Sequence, residues 1–307
     1  MSTPDTTIHP HPTGAAASLA SAHANPVDPQ SYSTPGLRLY GGWFCPFVQR
    51  SWIVLAEKQI PYQYVEINPY RKEAEFLRLN PRGLVPTLAV VTTTEQDGSG
   101  GGRNEKEQSL GESAVICEYL DEQFADEGVY GPRLLPAESE GVEAVFERAR
   151  CRLWINHIAT RIVPAFYRLL QHTEEKVYTI EEARRELLKG LREFAAEMVR
   201  TGRKGPWFLG GRFSLVDVML APWAKRLFLI DHYKPGGVGI PGKGERKEEE
   251  EGAWARWDEW FAAVVERESV KATWSEEEKY IEVYKRYAED TTQSEVGQAT
   301  RKGRGLP

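Results

Sequence analysis

The stretch Leu37–Arg50, "LRLYGGWFCPFVQR", decides how this chain folds. Its first four residues alternate apolar and polar side chains and run into two glycines, the pattern of a short strand that stops in a turn. Beyond the turn, "CPFVQRSWIVLAEKQI" places Phe47, Val48, Ile53 and Val54 among polar residues at helical spacing. Pro46 suits the first helical position, where its missing N–H would have had no intrahelical partner. The junction therefore reads strand, turn, helix, with Cys45 at the helix start. Two readings of Cys45 stand at this point. It is either a small apolar filler or a thiol placed where unpaired backbone N–H groups and the helix dipole favour negative charge. Such placement lowers a cysteine pKa from about 8.5 into the range ~3.5–7.5. Position 48 is valine, so the thiol has no resolving partner three residues on. It can form and release only mixed disulfides with an external thiol.

Outward from this junction, "PYQYVEIN" (Pro61–Asn68) predicts a second strand, and "KEAEFLRLNP" a short helix stopped at Asn80-Pro81. "GLVPTLAVV" is a third strand, "QSLGES" ends a fourth, and "SAVICEYLDEQF" is a helix. The order β-α-β-α-β-β-α is that of a thioredoxin-like domain, placed at residues 37–125. A glycine-rich segment, "TTTEQDGSGGGRNEKEQ", predicts a flexible loop at 91–107. A turn-rich linker follows at 126–139, after which strand signals stop.

Residues 140–290 predict an all-helical domain. "EGVEAVFERARCRLWINHIATRIVPAFYRLLQ" is one long helix bent at Pro164, and "TIEEARRELLKGLREFAAEMVRT" and "SLVDVMLAPWAKRLFLI" are two more. The low-complexity stretch 235–252, with its acidic run Glu248–Glu251, predicts a solvated loop, and 291–307 a frayed tail. Residues 1–36, rich in Pro, Ala, Ser and His, predict a disordered tail without the basic start and apolar core of a secretory signal.

A chain of 307 residues suits two domains, and 41% hydrophobic with 27% charged residues supports a soluble core. A net charge of −6 argues against nucleic-acid binding, which needs a basic face to displace counterions. No apolar stretch approaches the ~18 residues of a membrane span, so the expected location is the cytoplasm. Three cysteines without CxxC spacing (Cys45, Cys117, Cys151) and scattered histidines predict neither a disulfide framework nor a metal site. Cys117 and Cys151 lie mid-helix and read as core fillers.

Two further motifs bear on Cys45. Val85-Pro86 opens the third strand, and a cis bond there would turn the Val85 backbone outward to pair with an extended peptide. A structural turn with a trans proline fits these residues nearly as well. Glu112-Ser113 begins the next helix. Ser113 serves as an N-cap or, with the helix N-terminus, as a carboxylate site, while Glu112 could take an ammonium group. Acid and amine acceptors side by side are what an α-amino acid end requires.

"CPF", "NPRGLVPTL" and "GESAVICEYLDEQF" together resemble the glutathione-binding domain of glutathione transferases, most closely the omega class and related cysteine-type enzymes, with a fungal member expected. "WFLGGRFSLVDVMLAPWAKRL" resembles the folding motif of the same family's helical domain, with Ser214 and Asp217 as its S-x-x-D capping box. The resemblance spans about Leu37 to Ala288. It implies that Cys45 is catalytic, that Val85 and Pro86 face the cysteinyl part of glutathione, and that Glu112 and Ser113 hold the γ-glutamyl end. It places Lys72 near the glycyl end, Phe47 beside the thiol, and Trp154, Phe166 and Trp223 around a second substrate. Core packing is an equally open reading of Trp223 and stands more strongly against Trp154 and Phe166.

Most members of the family activate glutathione with a tyrosine or serine, whereas a cysteine in that position becomes linked to glutathione itself. The resemblance therefore implies a glutathione-dependent thiol transferase or reductase, with dehydroascorbate reduction or deglutathionylation among its reactions. Glutathione is the co-substrate, beside a small electrophilic or disulfide partner, and a homodimer is expected. Two alternatives stand beside this. One is a dedicated conjugation or deconjugation enzyme of fungal secondary metabolism or detoxification; the other is a non-catalytic binding module of the same fold.

Overall fold

The computed structural model describes residues 8–27, 35–95 and 103–306. Helix α1 (Gly14–Ala22) comes first, then β1 (Gly36–Gly41) and α2 (Pro46–Glu57). Strand β2 (Gln63–Glu66), helix α3 (Ala74–Leu79), strands β3 (Thr87–Glu95) and β4 (Arg103–Leu110), and helix α4 (Ser113–Gln123) complete the first unit. The sheet order is β2-β1-β3-β4. β1 runs parallel to β2 and antiparallel to β3, and β3 pairs antiparallel with β4. This is the expected thioredoxin-like arrangement. Leu37 and Leu39 of β1 and Val48, Trp52, Ile53, Val54 and Leu55 of α2 are all at most 1% exposed, because the strand's period of two and the helix's 3.6 turn their apolar sets to one core.

The chain divides into two units, Ile8–Pro132 with Lys271–Glu276, and Arg133–Val270 with Glu277–Pro307. The boundary falls within the expected linker. Residues 271–276, expected within the helical domain, belong to the first unit, where Thr273 accepts from the Gln49 amide through its hydroxyl at 3.2 Å.

Four expectations are corrected. Residues 8–27 of the expected disordered tail are ordered: the Ala16 N–H donates to the Trp274 carbonyl (3.2 Å), and the Tyr64 N–H on the outer edge of β2 donates to the His23 carbonyl (2.7 Å). Alanine is the strongest helix former, and the open edge of β2 offers backbone groups to pair. Gly36 at the end of that tail opens β1, and residues 1–7 and 28–34 lie outside the described residues. In the expected loop 91–107, the strands pair as far as Glu95↔Arg103, since the threonine run 92–94 favours extended backbone; residues 96–102 lie outside the described residues. The acidic run Glu248–Glu251 forms the first turn of a helix, where unpaired N–H groups and the dipole favour carboxylates. The tail 291–307 contains a short helix, Glu295–Arg301, and the Gln171 amide donates to the Gly297 carbonyl (3.3 Å).

The second unit is all-helical, as expected: α5 (Val142–His157), α6 (Val163–Leu170), α7 (Ile180–Thr201), α8 (Leu215–Ala224), α9 (Leu227–Tyr233), α10 (Glu248–Glu266), α11 (Glu268–Ala272, which runs into the first unit), α12 (Glu277–Ala288) and α13 (Glu295–Arg301). The bend expected at Pro164 is a π-turn over Ile158–Ile162, which absorbs the hydrogen bond that the proline cannot make. The Asp217 carboxylate accepts from the Ser214 N–H (2.8 Å) and hydroxyl (2.7 Å), the Phe208 N–H (2.9 Å) and the Trp260 indole (2.8 Å). Burial pushes its pKa up and these donors pull it down. The S-x-x-D motif thus ties α8 to the preceding loop and to α10.

Candidate active site

Cys45 is the N-cap of α2, with extended backbone (φ −76°, ψ 120°) and Pro46 in the first helical turn. Its N–H donates to the Gly42 carbonyl (2.9 Å), closing a tight turn off β1. Gly41 is needed there because a Cβ would come within 2.4 Å of the Val48 side chain. The half-buried Cys45 Sγ lies 3.9 Å from the Val85 carbonyl oxygen. The other two thiols differ sharply: Cys117 and Cys151 are both 0% exposed, and burial pushes each up to about 12.

Val85-Pro86 is a cis peptide bond. The loop before it is organised by Asn80, which sequence reasoning used only as a helix stop. The Asn80 amide donates to the Leu84 carbonyl (3.1 Å) and the Thr87 hydroxyl (2.8 Å), and its side-chain oxygen accepts from the Arg82 N–H (3.1 Å). Gly83 turns the loop at φ +62°, and a Cβ there would meet the Lys72 Nζ at 2.8 Å. Lys72 precedes α3 rather than lying on it, and its ammonium folds over this loop.

Glu112 occupies the N-cap of α4 in the left-handed region (φ +63°), so Ser113 is the first helical residue and not the cap. The Glu112 carboxylate projects outward and pairs with Arg82 at 2.9 Å, both side chains more than half exposed. The Ser113 hydroxyl is buried and accepts from Arg50 Nη1 at 3.2 Å. Arg50 comes from α2 and is 4% exposed, and its guanidinium lies 5.4 Å from the centroid of the Phe47 ring. A buried cation, a serine hydroxyl and a helix N-terminus therefore converge, a set suited to a carboxylate. Arg50 and Arg82 were missed because each reads singly as a surface residue of a helix or loop.

The structure thus brings Cys45, Phe47, Val85, Pro86, Glu112, Ser113 and Lys72 into one unit on the ends and loops of α2, β3, α4 and α3. The three aromatics expected around a second substrate lie in the helical unit. Phe166 and Trp223 are each 1% exposed, while the half-buried Trp154 contacts His157, Phe194 and Phe208 at centroid distances of 4.7, 6.4 and 6.0 Å.

Comparison with known proteins places the chain in a family. Residues 44–123 match the family model "Glutathione S-transferase, N-terminal domain" and residues 178–263 "Glutathione S-transferase, C-terminal domain". The chain is 32% identical over 197 residues to pig glutathione S-transferase omega-1, covering 64% of this chain and 68% of that one. The crystal structure of glutathione transferase Omega 3C from Trametes versicolor superposes with a TM-score of 0.67 at 38% identity, covering 92% of this chain and all of that one. A rice glutathione transferase solved in complex with glutathione gives 0.65 at 25% identity, covering 84% and 99%. The chain belongs to the glutathione transferase family, among its omega-like members.

Proposed function

We propose that this protein is a glutathione-dependent thiol transferase whose nucleophile is Cys45. The observation that carries the reading is a half-buried cysteine at a helix N-terminus, with its sulfur 3.9 Å from the carbonyl of the cis-proline loop. The γ-glutamyl end of glutathione fits the α4 terminus, its carboxylate against Ser113 and Arg50 and its ammonium against Glu112. The cysteinyl part pairs with the Val85 backbone beside Pro86, the glycyl carboxylate meets Lys72, and Phe47 flanks the thiol.

In the first step the Cys45 thiolate attacks the glutathione sulfur of a mixed disulfide. The S–S bond breaks, and the other thiol leaves as its thiolate and takes a proton from solvent. The thiolate of a second glutathione then attacks the Cys45–glutathione disulfide, releasing glutathione disulfide and restoring Cys45. With dehydroascorbate, two glutathiones supply the two electrons and the two protons. Of the three aromatics proposed for a second substrate, Trp154 is the half-buried one; the burial of Phe166 and Trp223 fits core packing.

A cytoplasmic homodimer accompanies this reading. Val142, Val145, Phe146 and Leu153 leave an apolar stripe on α5 that is 51–89% exposed, as a face covered by a second copy would be. Among the described residues no helix is long and apolar enough to cross a membrane.

Reduction of hydroxyethyl disulfide and dehydroascorbate with glutathione, in wild type and Cys45→Ser, tests the reading. Wild-type activity lost in Cys45→Ser, with a glutathione adduct on Cys45 by mass spectrometry, is the expected result. Glutathione binding without reductase activity would favour a dedicated conjugation or deconjugation role, and absence of binding a non-catalytic module.

A further inference from the structure

The turn that presents Cys45 is held at Trp43 from two directions. Trp43 is 1% exposed. Its backbone N–H donates to Glu66 Oε1 at 2.9 Å, and its indole N–H donates to the His9 carbonyl at 2.9 Å. Glu66 is the last residue of β2, and its second oxygen accepts from the Tyr64 hydroxyl at 2.7 Å. The Tyr64 ring stacks on Trp52 of α2, centroids 4.4 Å apart and planes 2° apart. One carboxylate therefore joins β2, the turn and, through Tyr64, the helix that Cys45 caps.

The His9 carbonyl is no loose partner. It belongs to a strap, residues 8–27, anchored at both ends. Near its start the Thr13 N–H donates to the Ser275 hydroxyl (3.1 Å), and Ala16 on α1 is fully buried. At its far end the Gln63 amide of β2 donates to the Ala24 carbonyl (3.0 Å), and His23 stacks on Tyr62 with centroids 4.0 Å apart. Between Trp43 and Cys45 stands only Phe44, 5% exposed and set edge-on to the indole at 5.6 Å. A shift of the indole is passed to the thiol through this one packed residue.

We propose that Trp43 is a positioning residue for the Cys45 thiol, clamped between the Glu66 carboxylate and the His9 carbonyl of the N-terminal strap. The proposal rests on the thiol-transfer reading for its consequence but not for its geometry. Misplacement of a reacting atom by a change outside the reacting groups can cost on the order of a hundredfold in rate. Loss of one of two clamps should cost less.

Iodoacetamide alkylation of Cys45 against pH, which needs no glutathione, is measured on the full chain together with kcat and KM for hydroxyethyl disulfide reduction. Trp43→Phe keeps the ring and removes the indole donor. Ala16→Glu puts a charge into the strap's buried contact and unseats it. Each should slow alkylation about tenfold, move its pH midpoint and lower kcat with the KM for glutathione unchanged. The double variant should be no slower than either single one, because both break the same bond. Glu66→Leu should behave likewise, whereas Glu66→Gln, which keeps an acceptor for the Trp43 N–H, should restore the wild-type rate. The proposal is overturned if the single variants lower only the melting temperature and leave the alkylation profile unchanged, or if the double variant multiplies the two losses. Altered alkylation in the variants, with no reductase activity in the wild-type protein, would instead sink the thiol-transfer reading and leave the clamp standing.

Discussion

Arg50 donates from α2 to the Ser113 hydroxyl at the start of α4 across 3.2 Å, while its guanidinium lies 5.4 Å from the centroid of the Phe47 ring. The helix that carries the thiol and the helix that carries the amino-acid end of the proposed site are thus coupled by one buried cation. Arg50→Met should raise the KM for glutathione about tenfold, equivalent to ~1.4 kcal/mol, with a smaller effect on kcat. Calorimetric titration of glutathione checks this, and an unchanged dissociation constant would remove Arg50 from the site.

The three cysteines should be chemically distinct. Burial pushes the Cys117 and Cys151 thiols up to about 12, so neither forms thiolate near neutral pH. One equivalent of a disulfide reagent should react with the native protein and three after denaturation. Cys117→Ala and Cys151→Ala should leave reductase activity within about twofold of wild type. Rapid modification of two thiols in the native protein would contradict the burial seen.

Glu66 makes stability pH-dependent in a defined direction. Burial raises its carboxyl to about 8, against 4.5 in the unfolded chain, although the Trp43 N–H and Tyr64 hydroxyl oppose the shift. Between these values the folded state binds more protons than the unfolded one, so stability falls as pH rises and levels off above about pH 8. Glu66→Gln cannot titrate and keeps its acceptor oxygen. Urea midpoints from pH 5 to pH 9 should therefore decline less in the variant, and parallel curves would show that Glu66 is not the group responsible.

The Lys58–Asp121 pair is fully buried at 3.4 Å, and the Lys58 ammonium also donates to the Gly131 and Pro132 carbonyls at 3.2 Å each. Asp121→Ala would strand a buried cation and should cost about 3–5 kcal/mol. Replacing both partners, as Lys58→Met with Asp121→Leu, should cost less than that single change. Denaturant unfolding of the three proteins decides the order. A single variant no less stable than the double would mean the pair is not what holds residues 131–132 to α2.

The parts of the candidate site legible in the chain were those whose residues are neighbours in sequence. Cys45-Pro46, Val85-Pro86 and Glu112-Ser113 each announce a local backbone event, a helix start or a turn, and local propensity governs such events. Arg50, Glu66 and Trp43 gave no such signal, and Asn80 announced only the end of a helix. An arginine five residues after Cys45 reads as one side of an amphipathic helix, and only the packing of α2 against α4 turns it toward Ser113. The alanine-rich run in the first tail, and the acidic run at Glu248, read as disorder or loop because polar composition without periodicity says nothing about an available docking edge or helix terminus.

By itself, then, the sequence determined the strand and helix order from β1 to α4, the identity of the nucleophile candidate and the absence of a resolving cysteine beside it, since periodicity and residue chemistry are properties of adjacent positions. The tertiary structure alone decided what lies beside the thiol and what holds its turn: the Val85 carbonyl forty residues on at the sulfur, and the Glu66 carboxyl and the His9 backbone at Trp43. Those partners are brought together by the closing of the sheet and the docking of the strap, and the contacts that result span sequence separations over which no local pattern operates.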